Sequence, residues 1–154
     1  MYDIILAVHS IMRWIVLLLA LLTVFRALAG WLGGKEWTNL DNRAGLFFTI
    51  SFDIQLTLGL ILIIVSPTVQ RAFADPGGAM GDVVLRYWLA EHIPVMVIAL
   101  ALAHIGRSRS KRLAEAVARH RTAAIWFGLA ILMVLATIPW PFLAYGRPLL
   151  PGLG

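Results

Sequence analysis

Residues 4–31 read IILAVHSIMRWIVLLLALLTVFRALAGW and contain only three ionisable side chains. A helix needs about 20 mostly apolar residues to cross the hydrocarbon core of a bilayer, and this stretch exceeds that length. Ala27-Leu28-Ala29 mimics the cleavage site of a signal peptide. However, the N-terminus carries Asp3 and no basic residue, and the run is too long for a signal peptide. We therefore expect a retained membrane-spanning helix.

Three further apolar runs follow, at residues 44–65, 85–105 and 122–143. Proline residues follow the second run and close the fourth, and proline ends helices because it lacks an N–H group. Hydrophobic residues make up 60% of the chain and charged residues 14%, compared with about one half and one quarter in soluble domains. The sequence predicts a single all-α domain over residues 1–154, an integral membrane four-helix bundle with up-down topology.

Composition also narrows the possible cofactors and partners. The chain has no cysteine, which excludes disulfides, thiolate zinc sites, iron–sulfur clusters and covalently attached c-type haem. The basic residues lie between the apolar runs and not along one stripe, so we expect contact with a lipid bilayer and none with nucleic acid.

The distribution of Lys and Arg predicts the orientation. The connections at 32–43 and 106–121, together with Arg26, hold nine of these residues, whereas the 66–84 connection, Arg86 and the C-terminal segment hold three. Because basic loops stay on the cytoplasmic side, both termini are expected on the outer, periplasmic side of a bacterial inner membrane.

Two histidines are the candidate cofactor ligands. His9 and His92 both lie roughly 8–10 Å below the outer ends of their helices, at 1.5 Å per residue. The first and third helices run in the same direction and sit diagonally in an up-down bundle of four. That spacing suits a flat macrocycle between two imidazoles, so we expect His9 and His92 to be the axial ligands of one haem b iron. The alternative is that both bond only to backbone or water.

Two opposite charges interrupt the first and second spans. Arg13 follows His9 by one helical turn, and Asp53 lies near the middle of the bilayer. Because an isolated buried charge is very costly, we expect an intramembrane Arg13–Asp53 pair. Two alternatives give these residues functions: Arg13 contacts a haem propionate, or Asp53 relays a proton near a quinone.

Three other ionisable residues are not expected to take part in the site. His104 and Glu91 are interpreted as residues at the membrane interface, and His120 as a solvated residue of the basic loop. Pro94 removes a backbone hydrogen bond and is expected to bend the third helix.

The chain resembles a family of small bacterial four-helix membrane proteins labelled "cytochrome B". The residues that carry the resemblance extend over nearly the whole chain: His9-Ser10, Arg13-Trp14, Leu40-Asp41-Asn42, Gln55, Ser66-Pro67, Glu91-His92, 106–111 and 138–142. The resemblance implies b-type haem and makes His9 and His92 the axial candidates. Relatives carry histidine in place of Asp53, so a ligand role does not transfer to that position.

Two functions are consistent with these features. The first is a haem b electron-transfer protein that exchanges electrons with quinone or with a larger respiratory or photosynthetic complex, as a subunit and not as a stand-alone enzyme. The second is a cofactor-free accessory subunit that scaffolds such a complex. Other membrane subunits or further copies of the chain are the expected protein partners.

The orientation can be tested with introduced cysteines, because the chain has none of its own. Single cysteines placed between residues 106 and 121 should react with a membrane-impermeant thiol reagent only after the inner face of the membrane is exposed. Labelling of intact cells or spheroplasts from the periplasmic side would reverse the topology.

Overall fold

The computed structural model describes residues 1–150, and all regular secondary structure in that range is helical. Four of the helices are long and apolar enough to cross a membrane, so the chain is a multi-pass membrane protein. The helices are α1 (Tyr2–Gly33), α2 (Asn39–Val65), the short α3 (Pro67–Ala74), the single turn α4 (Pro76–Ala79), α5 (Val83–Arg112) and α6 (Ala116–Ala136).

The four long helices form a closed ring of neighbours. α1 packs against α2 and α6, and α5 packs against the same two helices. α1 and α5 therefore face each other across the bundle. His9 and His92 belong to these two helices, so the ring places them on opposite walls of the interior.

Small side chains fill most of the helix contacts. Lipid tails are as apolar as leucine, so membrane helices associate through close van der Waals packing, which small residues permit. The alanines at the contacts are at most 5% exposed: Ala20, Ala27, Ala44, Ala99, Ala103, Ala123, Ala124 and Ala130. Phe48 fills the centre, with its ring 5.5 Å from that of Phe127 in an edge-to-face arrangement. The half of the bundle that contains Phe48 and Phe127 is therefore tightly packed.

The connection between α1 and α2 is fixed by hydrogen bonds. Gly34 ends α1 in the left-handed conformation, with φ of 59°, which glycine adopts without steric cost. Thr38 then begins α2, and the Asp41 carboxylate accepts a 2.8 Å hydrogen bond from the Thr38 backbone N–H. Arg26 of α1 donates to the same carboxylate at 2.8 Å. The two helices are thereby joined at this end.

The fourth span ends earlier than predicted. α6 stops at Ala136, not at residue 143, because Pro139 and Pro141 cannot continue the helix. Residues 137–150 fold back towards the bundle instead. The Tyr145 ring stacks on Tyr87 at 3.6 Å, and the carbonyl of Leu149 accepts hydrogen bonds from Arg13 at 2.7 Å and Trp14 at 2.9 Å.

The predicted connections are also more helical than expected. The 66–84 connection contains α3, whose first turn is capped by the Ser66 side chain. Most of 106–121 belongs to α5 and α6, with only residues 113–115 between them. His120 was predicted to be solvated, and that prediction is wrong. It lies in α6 and is 1% exposed, with its ring beside Gly30.

Gly30 provides a test of the packing between α1 and α6. A Cβ atom added there would overlap the buried His120 ring, so Gly30→Ala should lower the free energy of unfolding by about 1–3 kcal/mol, a usual cost of overpacking. Gly128→Ala is the matched control, because a Cβ atom there has no neighbour within 4 Å. It should leave stability unchanged or raise it by up to about 1 kcal/mol through helix propensity. Equal thermal stability of the two variants in detergent would contradict the Gly30–His120 contact.

Candidate functional site

A cavity of about 110 Å³ lies between α1, α2, α5 and the segment that follows α6. Its wall is mostly apolar. The polar side chains that line it include His9, Ser10, Arg13, Gln55, Ser66, His92 and Arg147. The structure therefore brings both candidate ligands and Arg13 to one cavity.

His92 is held by two neighbours at the start of α5. Its Nδ1 lies 2.9 Å from the Thr137 carbonyl oxygen, and the Tyr87 hydroxyl donates to the same oxygen at 2.6 Å. A carbonyl oxygen can only accept, so His92 Nδ1 carries the proton and donates it. In the neutral ring, Nε2 is then the nitrogen with the lone pair. Histidine ligands of metals commonly have this backbone support on their other nitrogen.

The backbone around His92 departs from the regular α-helix. Tyr87–His92 forms a π-helical turn, and Pro94 follows it by two residues. Pro94 has no N–H to bond to Ala90, so the ladder is already broken at this point. π-helical turns occur frequently at functional sites. This one places Tyr87 and His92 side by side, with their ring centroids 5.6 Å apart.

His9 has one nitrogen without a partner. Its Nε2 lies 3.1 Å from the side-chain nitrogen of Gln55, so the Gln55 amide donates and His9 Nε2 accepts. His9 Nδ1 and Gln55 Oε1 are both buried without a hydrogen-bond partner among residues 1–150. Turning the Gln55 amide would pair Oε1 with Nε2 and would still leave Nδ1 unpaired. Gly59 makes room here, because a Cβ atom on it would lie 3.4 Å from the His9 ring.

Two arginines line the same cavity. Arg13 is 8% exposed, and its Nε is buried without a partner in the described part of the chain. Arg147 reaches the cavity from the C-terminal segment and lies over the Trp88 ring, with its Cζ 5.6 Å from the ring centroid. Among residues 1–150, no Asp or Glu lines the cavity. The site therefore carries positive charge without a carboxylate to balance it.

The predicted Arg13–Asp53 pair is not formed. Arg13 donates to Leu149, as described above, whereas Asp53 Oδ1 lies 2.8 Å from His104 Nε2. Arg13 lines the interior cavity, but the Asp53 side chain is 47% exposed on the outside of the bundle. The two residues occupy different faces, so each has found a different partner.

His104 and Glu91 were both expected at the membrane interface. His104 was placed at the interface, but it pairs with a residue near the middle of α2 and lies eight residues before the end of α5. Glu91 is 42% exposed and forms a 3.2 Å ion pair with Arg86, away from the cavity.

Sequence reasoning missed three residues of the site: Tyr87, Thr137 and Arg147. Thr137 contributes a backbone carbonyl, which no side-chain pattern reveals. Arg147 follows two prolines, so its return to the bundle depends on tertiary structure. Tyr87 precedes His92 by five residues, and this is the spacing that a π-helical turn brings together.

Comparison of the chain with protein-family models, with curated proteins and with solved structures finds no match.

Double-mutant cycles on the free energy of unfolding in detergent can distinguish the observed Asp53–His104 pair from the predicted Arg13–Asp53 pair. Asp53→Asn and His104→Ala should be non-additive, with a coupling of about 0.5 kcal/mol or more, because the side chains are in contact. Asp53→Asn and Arg13→Gln should add to within about 0.5 kcal/mol, because they share no partner. A strong coupling in the second cycle and none in the first would restore the Arg13–Asp53 pair.

Proposed function

We propose that the chain is a haem b electron-transfer protein of the bacterial inner membrane, with His9 and His92 as the two axial ligands. The observation that carries the proposal is the shared cavity, to which α1 and α5 contribute one imidazole each. His92 presents a lone pair at Nε2, because its other nitrogen donates to Thr137. His9 Nε2 holds the lone pair that accepts from Gln55, and its Nδ1 is buried without a partner among the described residues.

The charges of the cavity also support haem. The ring of haem b is apolar, but it carries two propionate groups. Arg13 and Arg147 supply two cations to a cavity whose described lining contains no carboxylate. Arginine is well suited to carboxylates because its donors form a planar fork. An anionic lipid would account for the two arginines, but it would not use the Nε2 lone pair that His92 presents.

Haem uptake requires the cavity to widen. An engineered cavity of about 150 Å³ holds a molecule the size of benzene, and the present one measures about 110 Å³. A porphyrin is larger than either, so apolar side chains of the lining must move apart. Met96 and Leu56 are two such side chains, and methionine adapts readily to changes in shape. The His9–Gln55 hydrogen bond must also open if His9 is to bind through Nε2.

When bound, the haem would supply a one-electron redox centre in the membrane. Thr137 and Tyr87 would orient His92, and Gln55 would hold His9 in the cavity until ligation. Two imidazoles would fill both axial positions, so we expect electron transfer and not oxygen chemistry. The electron partner we propose is a quinone or a larger respiratory or photosynthetic complex. The topology we propose is an up-down bundle with both termini on the periplasmic side.

One observation favours the second candidate, a cofactor-free accessory subunit. Each histidine already has a hydrogen-bond partner inside the chain, Gln55 for His9 and Thr137 for His92. Such bonds stabilise a bundle without any ligand. The accessory function predicts that the purified protein has no visible absorption band and that its stability is unaffected by haem.

Haem content separates the two functions. Wild-type protein, purified from membranes with sufficient haem supply, should contain about one haem per chain with a six-coordinate, low-spin spectrum. His9→Ala and His92→Ala should each abolish that spectrum. His104→Ala is the matched control, because this histidine is 50% exposed outside the cavity, and it should retain the haem. Haem should also raise the melting temperature, since it binds only the folded state.

Two results would overturn the haem proposal. One is a wild-type protein without haem even after titration with haemin. The other is a six-coordinate spectrum that persists in both His9→Ala and His92→Ala. The first result would favour the accessory subunit, whereas the second would require other ligands.

A further inference from the structure

One end of the bundle is strongly cationic. The hydrogen bonds of Asn42 and the contact of His120 with Gly30 bring together the end of α1, the start of α2, the end of α5 and the start of α6. We call this region the basic end. Its cations are Arg26, Lys35, Arg43, Arg107, Arg109, Lys111, Arg112, Arg119 and Arg121, and its carboxylates are Glu36, Asp41 and Glu115.

Most of these cations have no counter-ion in the protein. Asp41 is buried and is already paired with Arg26 at 2.8 Å. Glu36 and Glu115 are exposed, and neither forms an ion pair within residues 1–150. The other cations of the basic end are therefore available to an anion from outside the described part of the chain.

Two of the arginines come from different helices and converge on one residue. Arg107 of α5 donates to the backbone carbonyl of Asn42 at 3.0 Å, and Arg119 of α6 donates to its side-chain oxygen at 3.5 Å. The Arg119 guanidinium also lies over the Trp37 ring, with its Cζ 4.7 Å from the ring centroid. A guanidinium has several N–H donors, and Asn42 accepts only one hydrogen bond from each. Two like charges held this close favour an anion that both can contact.

Exposed apolar side chains lie beside the exposed arginines of this end. The pairs are Arg43 with Phe47 on α2, Ile105 with Arg109 on α5, and Arg121 with Ile125 on α6. The apolar members are 53%, 38% and 46% exposed, respectively. Residues four apart share a helix face, so each surface changes from apolar to cationic within about 6 Å, at about 1.5 Å per residue. This change is typical of the level at which acyl chains meet lipid headgroups.

We propose that the basic end binds the phosphate group of an anionic membrane lipid, with Arg107 and Arg119 as its specific contacts. The donors of arginine form a planar fork that matches the oxygen atoms of a phosphate. Basic sites between membrane helices bind anionic headgroups, and the neighbouring apolar residues place this end where such headgroups lie. The site shares no residue with the cavity, so this proposal and the haem proposal can fail independently.

Native mass spectrometry of the full chain in detergent tests the site. The probes are phosphatidylglycerol and phosphatidylcholine with identical acyl chains. Phosphatidylglycerol should bind about tenfold more tightly, because only its headgroup leaves the phosphate charge unbalanced. Arg107→Gln and Arg119→Gln should each lower that affinity about fivefold, which equals about 1 kcal/mol. Phosphatidylglycerol should also raise the melting temperature of the wild-type chain more than phosphatidylcholine does, a measurement that needs no variant.

Arg112→Gln is the matched control for the two variants. It makes the same change in charge at the same end, but Arg112 is exposed and forms no ion pair among residues 1–150. It should lower the affinity for phosphatidylglycerol less than about twofold, because exposed charges are screened. Helical circular dichroism and unchanged phosphatidylcholine binding verify that the variants are folded.

Three results would overturn the lipid site. The first is equal affinity of the wild-type chain for the two lipids. The second is an equal loss of affinity in Arg112→Gln, Arg107→Gln and Arg119→Gln, which indicates attraction by net charge without a specific contact. The third is displacement of phosphatidylglycerol by inorganic phosphate, which would make a free anion the occupant.

Discussion

The backbone carbonyl of Thr137 is the point on which the cavity-containing half of the bundle depends. α6 ends just before it, and the oxygen accepts hydrogen bonds from both Tyr87 and His92. The last carbonyl groups of a helix have no N–H partner within the helix, so neighbouring elements must supply the donors. α5 supplies two of them through its π-helical turn. The same contacts join α5 to α6, fix the proton of His92 on Nδ1 and direct its Nε2 lone pair away from Thr137.

The two halves of the bundle differ in how closely their helices pack. Near the start of α2, alanines and glycines let the helices approach closely, and Phe48 packs against Phe127 in the centre. Further along α2, the helices leave a cavity whose wall is mostly apolar and into which His9, Arg13 and Gln55 reach. The tightly packed half maintains the bundle. The open half can then carry unpaired nitrogen atoms and uncompensated arginines, features that reduce stability and are typical of binding sites.

The four spanning helices could be predicted from the sequence, and the structure places His9, His92 and Arg13 at one cavity. Length and hydropathy determine the spans, and helical depth determines the level of each histidine. The partners of the charged side chains could not be predicted from the sequence. The Arg13–Asp53 pair was predicted only from the high free-energy cost of burying an unpaired charge. Such a pair also requires that both side chains lie on facing surfaces. The rotation of the helices places Arg13 inside the bundle and Asp53 outside it. Contacts to backbone carbonyls, as at Thr137 and Leu149, leave no signature in a side-chain pattern.

The α5 helix connects the two polar regions of the molecule. His92 and His104 are twelve residues apart, which at about 100° per residue turns them about 120° from each other on the helix. One ring therefore lines the cavity and the other lies on the bundle surface. Two histidines on one helix do not imply two equivalent ligands, because rotation assigns them different surroundings. His92 is oriented by backbone and tyrosine, which suits a ligand that must hold one geometry. His104 instead pairs with a half-exposed carboxylate on the surface of the bundle.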